Sequence, residues 1–241
     1  MVSPSPGQNQ FLAALPPDVQ RRVFSQLQYT PFAIGECLLG PGERVAKVYF
    51  PTDSIVALVS TTTDGHSAEV AVVGNEGIVG VAAFLGGGST LGHAVVQSTG
   101  SAFSMRAEQF MSEFNRHEEL YEFALRYCQA LLTQIAQTAV CNCHHSIEER
   151  LCRWLLLSLD RLSSNELAMT QELIASMLGV RREGVTEAAG KLQKLGIIEY
   201  SRGHIHVKDR QALERITCEC YRLVNTETER LLSVYGGGYR N

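Results

Sequence analysis

The sequence has no excess of basic charge. Its 21 lysines and arginines stand against 25 aspartates and glutamates, a formal net charge of −4. A chain-wide electrostatic footprint for nucleic acid is therefore missing. It also has no run of 18 uncharged apolar residues, so no membrane-spanning helix and no membrane partner are expected. Residues 1–10 are polar, with two prolines and no basic segment leading into an apolar one, so no secretory signal is expected. Seven cysteines without an export signal read as reduced thiols in a cytoplasmic protein, not as a disulfide framework. There is no nucleophile elbow, no Walker loop and no paired-carboxylate pattern, so nothing points to an enzyme. Apolar residues are not scarce: 45% apolar and 19% charged exclude global disorder, and 241 residues hold one large or two small domains.

What charge there is sits unevenly. Residues 1–118 carry 6 basic and 10 acidic residues, whereas residues 170–210 carry 7 basic and 5 acidic, plus His204 and His206. That segment is the one basic island. Hydrophobic patterning divides the chain along similar lines. Residues 11–28 read as a helix started by Leu15-Pro16-Pro17-Asp18. From Tyr29 to Met105, short apolar runs alternate with turn signals, among them Gly40-Pro41-Gly42, Asp64-Gly65 and Gly74-Asn75-Glu76-Gly77. The runs include Cys37-Leu38-Leu39, residues 69–73 and residues 78–84, and their spacing predicts an all-β roll or jelly roll.

From Ala107 the period becomes helical. Residues 120–140 carry two apolar stripes: Leu120, Ala124, Cys128, Leu131, Ile135 and Ala139, and Leu125, Leu132, Ala136 and Val140. A helix with one wet face needs one stripe. Two predict burial against the β domain and against a second copy, the alternative being a core helix of a monomer. Ser146-Ile147-Glu148-Glu149 is a capping box that starts a new helix, so His144-His145-Ser146 is a candidate hinge. Ser163-Ser164-Asn165 ends that helix, and Gly236-Gly237-Gly238 marks a tail. The expected architecture is α+β, in three parts: a β-roll over residues 1–118, a dimerisation helix over 119–145 and a mainly helical unit over 146–241.

Residues 171–190 fit a helix-turn-helix position by position. Thr170 caps the first helix, with Leu173, Ile174, Met177 and Leu178 on its buried side and Ala175 where the two helices cross. Gly179 falls at the turn, where a positive φ is needed. Val180 and Val185 point inward, and Ala188 and Ala189 permit close packing. This leaves Arg181, Arg182, Glu183, Thr186 and Glu187 at the exposed start of the second helix, the end that reaches base edges in the major groove. An arginine bonds bidentately to guanine and a glutamate accepts from cytosine. Lys191 and Lys194 suit phosphate contact, as do Arg202 and His204 on a two-stranded wing over residues 197–207. The implied partner is double-stranded DNA. Glu187 is awkward, because it sets a second carboxylate before a polyanion.

With these residues the chain resembles the Crp/Fnr family of bacterial transcription regulators. Leu15-Pro16, Gly35-Glu36 and Gly74-Asn75-Glu76-Gly77-Ile78-Val79-Gly80 carry the likeness in the first half. Leu178-Gly179-Val180-Arg181-Arg182-Glu183-Gly184-Val185 and Leu192-Gln193-Lys194-Leu195-Gly196 carry it in the second. The resemblance implies a cyclic-nucleotide-binding-like roll, a homodimer, a palindromic operator, base contacts from Arg182 and Glu183, and RNA polymerase as a candidate partner. Glu187 stands where the cAMP-responsive member has a base-reading arginine, which implies a different operator. The cAMP-binding members place a glutamate after the glycine-rich turn and an arginine some ten residues on. Here the residues are Gly80-Val81 and Gly88-Ser89-Thr90-Leu91-Gly92-His93. An anionic phosphate without its guanidinium loses a charge-assisted pair, so cAMP is not expected in the usual way, no cofactor is named and the effector stays unknown.

Cys141-Asn142-Cys143-His144-His145 offers soft and imidazole ligands, so a redox or metal sensor is the rival reading. Against it, two cysteines in C-x-C spacing on a helix face some 200° apart, and Cys218-Glu219-Cys220 has the same spacing. No metal site is therefore expected, and Cys37, Cys128 and Cys152 read as core thiols. His66 and His93 read as plain loop residues.

Overall fold

The computed structural model of the protein describes residues 4–162 and 164–232. Ser163 and the Gly236-Gly237-Gly238 tail lie outside the described residues. Two short helices, α1 (Gln10–Ala13) and α2 (Pro17–Phe24), precede seven strands: β1 (Gln28–Phe32), β2 (Cys37–Leu39), β3 (Lys47–Pro51), β4 (Val56–Thr61), β5 (Ser67–Val73), β6 (His93–Val96) and β7 (Gly100–Arg106). They form two antiparallel sheets, ordered β1-β7-β3 and β2-β6-β4-β5. Aromatic side chains fill the space between the roll and the helices that cover it. Phe11 packs on Phe50 at 6.1 Å between ring centroids, and Phe84 on Phe110 at 5.0 Å. Phe110 belongs to α3 (Ala107–Phe114), which leads into the long α4 (Glu119–His144).

Three expectations for this half are corrected. Residues 11–28 are not one helix: Pro16 and Pro17 break it in two, and Gln28 already starts β1. β1 contains Pro31, which a sheet accepts because β1 is an edge strand. Residues 78–84 make no regular strand. Val79 forms one bridge to Tyr49, then Gly80 turns at φ 102° and residues 81–83 coil into a short 3-10 helix. Cys37 is exposed, while Cys128 and Cys152 are buried.

The second half begins at α5 (Ile147–Leu159), where Ser146 and Glu149 close the capping box. Ten consecutive residues of α5, from Arg150 to Leu159, are buried, which makes it the central pillar. Around it stand β8 (Glu166–Ala168), α6 (Gln171–Leu178), α7 (Arg182–Lys194), β9 (Ile198–Ser201), β10 (His204–Val207), α8 (Arg210–Ile216) and α9 (Cys220–Leu232). The wing is a three-stranded sheet, β8-β10-β9, because Glu166, Leu167 and Ala168 pair with β10.

The two halves touch. Ser67 of β5 and Ser176 of α6 share a hydrogen bond of 2.8 Å, and Arg161 donates to Glu76 at 2.8 Å. Glu69 of β5 is buried and accepts from the Gln97 amide. Burial pushes its carboxyl up to about 7, against the opposing pull of the Trp154 and Gln97 side chains and the charges of Arg153 and Arg161.

The C-x-C reasoning fails at the second pair. Cys218 lies in the link between α8 and α9 and Cys220 opens α9, so helical spacing does not separate their sulfurs. On α4, by contrast, Cys141 is buried while Cys143 and His144 are exposed.

Candidate nucleic-acid interface

The reading unit is built from local sequence choices. Thr170 accepts from the Leu173 amide at 3.3 Å and so starts α6. Gly179 ends it at φ 61° and ψ 40°, left-handed backbone that a residue with a side chain rarely adopts. Ile174, Ala175, Met177, Leu178, Val185, Ala188 and Ala189 are buried. Leu173 is not: it is exposed on the outer side of α6, a correction to the sequence reading. Gly184 was not singled out, yet a side chain there would meet Ile147 at 2.6 Å, so α7 lies directly on the start of α5.

This packing leaves one face of α7 free. Arg181 is its N-cap residue and Arg182 opens its first turn. Arg181, Arg182, Glu183, Thr186, Glu187 and Lys191 are all exposed, as are Thr170, Lys194, Arg202 and His204. Arg202 and Gly203 make the two-residue turn of the wing, both at positive φ (51° and 81°), as a tight hairpin of this hand requires. Thr170, Arg182 and Arg202 line one open depression with Gln171, Glu172 and Tyr200. The start of α7, the start of α6 and the wing tip therefore converge.

Three basic side chains of this face lie beside carboxylates. Arg182 Nε lies 4.0 Å from Glu172, His204 Nδ1 2.9 Å from Glu166, and Lys191 Nζ 3.0 Å from Glu187 and 3.8 Å from Glu148. Exposed pairs of this kind are worth about 0–1 kcal/mol, so a phosphate or base edge displaces them at little cost. The Glu187 pairing also resolves its awkwardness: it neutralises Lys191 one turn later and holds that ammonium above its ordinary range. Thr186 donates to Gln171 Oε1 at 2.7 Å. Gln171, Glu172 and Glu166 were missed because each pairs across elements; only the position of Gln171 and Glu172 beside the cap hinted at them.

In the roll, a cavity of about 330 Å³ lies between the β2-β6-β4-β5 sheet, the turn at residues 78–82 and α4. Leu58, Val81, Leu131 and Ile135 line it with Thr90 and His93, and among the described residues neither arginine nor lysine does.

Sequence comparison finds two domain families in the chain. Residues 29–117 match the cyclic nucleotide-binding domain and residues 149–216 the Crp-like helix-turn-helix domain. No curated protein matches. Among solved structures, FixK2 from Bradyrhizobium japonicum is 18% identical over 80% of this chain and 98% of its own, with a TM-score of 0.68. A CRP-family transcriptional regulator from Thermus thermophilus is 20% identical over 78% and 95%, with a TM-score of 0.65. The c-di-GMP-responsive global regulator CLP of Xanthomonas campestris is 14% identical over 79% and 98%, with a TM-score of 0.59. At such identities these structures speak for the fold. The fold and site together define a transcription regulator with a helix-turn-helix DNA-binding domain. The chain belongs to the Crp/Fnr family. No helix among the described residues is long and apolar enough to cross a membrane.

Proposed function

We propose that the chain works in the cytoplasm as a homodimer that reads a palindromic operator. Residues 1–118 form the sensor part, 119–145 the dimer helix and 146–241 the reader. The observation that carries this is the exposed start of α7, which presents Arg181, Arg182 and Glu183, with Arg182 beside the wing residue Arg202 and Thr170 in one depression. Arg182 and Glu183 read bases, with Arg181, Thr186 and Glu187 beside them, while Thr170, Lys191, Arg202 and His204 serve the phosphates. Glu183 has a second use: a carboxylate in the first turn suits the positive end of the helix dipole.

The dimer rests on α4. Its first stripe is buried in the roll from Leu120 to Leu131, but Leu125, Leu132 and Val140 remain exposed along the other side. At about 1.5 Å per residue the helix is long enough, roughly 40 Å, to serve as a two-fold spine. The two reading helices then sit one duplex turn apart, about 34 Å. Sedimentation of the purified protein tests this, with a dimer that Leu132→Glu dissociates as the expected result.

The roll does not suit cAMP. Its cavity offers an anionic cyclic phosphate no arginine or lysine among the described residues, and burying that charge without a paired donor is costly. The lining suits a small, largely apolar molecule anchored by Thr90 or His93. Calorimetry with cAMP tests the point, and no heat of binding is expected.

A further inference from the structure

The C-terminal end of α4 meets the link between α8 and α9 in a pocket of four soft ligands. Cys141, His145, Cys218 and Cys220 bring three sulfurs and a ring nitrogen within 4.8 Å of one another. The three cysteines are buried, and His145 is half-buried. We propose that these four residues bind one divalent transition metal ion, zinc by preference, in a closed tetrahedral site.

The spacing decides what kind of site it is. A zinc tetrahedron with bonds of about 2.3 Å to sulfur has edges of about 3.8 Å. Here Cys141 Sγ lies 3.6 Å from Cys218 Sγ, and Cys220 Sγ lies 3.5 Å from His145 Nδ1. An iron–sulfur cluster interposes iron and sulfide between its thiolates and holds them farther apart. The pocket therefore fits a single ion.

The surroundings point the same way. A metal-bound histidine normally gives its other ring N–H to a carboxylate. His145 Nδ1 faces the sulfurs, and its Nε2 lies 3.4 Å from the Glu219 carboxylate. The Gln137 amide donates to Cys220 Sγ at 3.1 Å, as suits a thiolate. Three thiolates around a divalent ion leave one net negative charge. Arg153 is buried and binds Thr138, one turn before Cys141, while its Nε and Nη1 have no hydrogen-bond partner among the described residues. Binding releases three thiol protons to solvent and changes no oxidation state.

With all four positions taken by protein, the site is structural and leaves no place for a reacting water. It joins the end of the spine and the α4–α5 junction to the last helices of the DNA-binding half. It also differs from the cluster suggested by sequence alone: Cys143 and His144 are exposed and take no part.

Metal analysis of the full chain, purified under reducing conditions and loaded with Zn²⁺, tests the proposal. It should give about one zinc per chain. Co²⁺ should give a tetrahedral visible spectrum with thiolate charge transfer. Cys220→Ser and Cys218→Ser should lose the ion. Cys143→Ser and His144→Ala should keep it, and Glu219→Gln should weaken zinc by about 10–100-fold. Should the cysteine variants not fold, the wild-type stoichiometry and cobalt spectrum decide alone. A wild-type chain that stays well below one ion per chain, an octahedral cobalt spectrum, or equal loss of metal in Cys143→Ser overturns it. So does recovery of a Cys141–Cys218 disulfide instead of bound metal. None of these readouts depends on operator binding.

Discussion

The two halves of the molecule handle charge in opposite ways. The outer face of α7 and the wing expose Arg181, Arg182, Lys191, Arg202 and His204, with Arg182, Lys191 and His204 in weak surface pairs. The roll cavity is lined mainly by apolar side chains, with Thr90 and His93 and with no arginine or lysine among the described residues. On the proposed function, one half meets a polyanion and the other gives a single anion no cationic partner. The roll matches the cyclic nucleotide-binding domain over residues 29–117, and its cavity has no arginine or lysine among the described residues. The two halves meet at Ser67–Ser176, Glu76–Arg161 and buried Glu69.

The largest expected effect concerns that contact. The folded chain holds a proton on Glu69 that the unfolded chain loses, because its carboxyl is raised from 4.5 to about 7. The stability tied to that proton is fully present below about pH 4.5 and is lost as pH rises through about 7. Glu69→Gln should therefore stabilise the chain at about pH 8 by up to roughly 3 kcal/mol and flatten the pH dependence of chemical denaturation. An unchanged pH profile would mean that Glu69 does not titrate in this range. Next comes packing: Ala175→Leu at the crossing of α6 and α7 should cost about 1–3 kcal/mol by overpacking, read as a lower Tm with lost DNA binding. Arg182→Ala should cost a similar 1–3 kcal/mol in operator affinity, but with stability intact and specificity relaxed at one base pair per half-site. Arg202→Ala should weaken all DNA sequences alike and lower the salt dependence of binding by about one ion. The smallest effect is on the other side of the comparison: saturating cAMP should leave operator affinity unchanged, and a clear gain would break the contrast between the halves.

Much of the reading unit was legible because its signals are local. Thr170, Ala175, Gly179 and the small residues of α7 each answer a constraint imposed within a few positions. The β-roll was legible as alternating runs and turns. What was hidden depends on partners far away in sequence. β8 has only three residues and becomes a strand because β10 pairs with it. Residues 78–84 are apolar like a strand, yet Gly80 turns the backbone aside. Leu173 fits the buried period of α6 but faces outward. Cys218 and Cys220 looked like separate faces of one helix, whereas the chain changes element between them. The carboxylates beside His204 and Arg182, Glu166 and Glu172, belong to no motif at all.

The reading face is tested most directly by selecting bound duplexes from random DNA with wild-type protein and with Arg182→Ala in parallel. Wild-type protein should enrich a two-fold symmetric sequence with half-sites one helical turn apart, and Arg182→Ala should lose preference at one base pair in each half. Enrichment of no symmetric sequence, or an identical sequence from both proteins, would contradict the docking of α7 in the major groove.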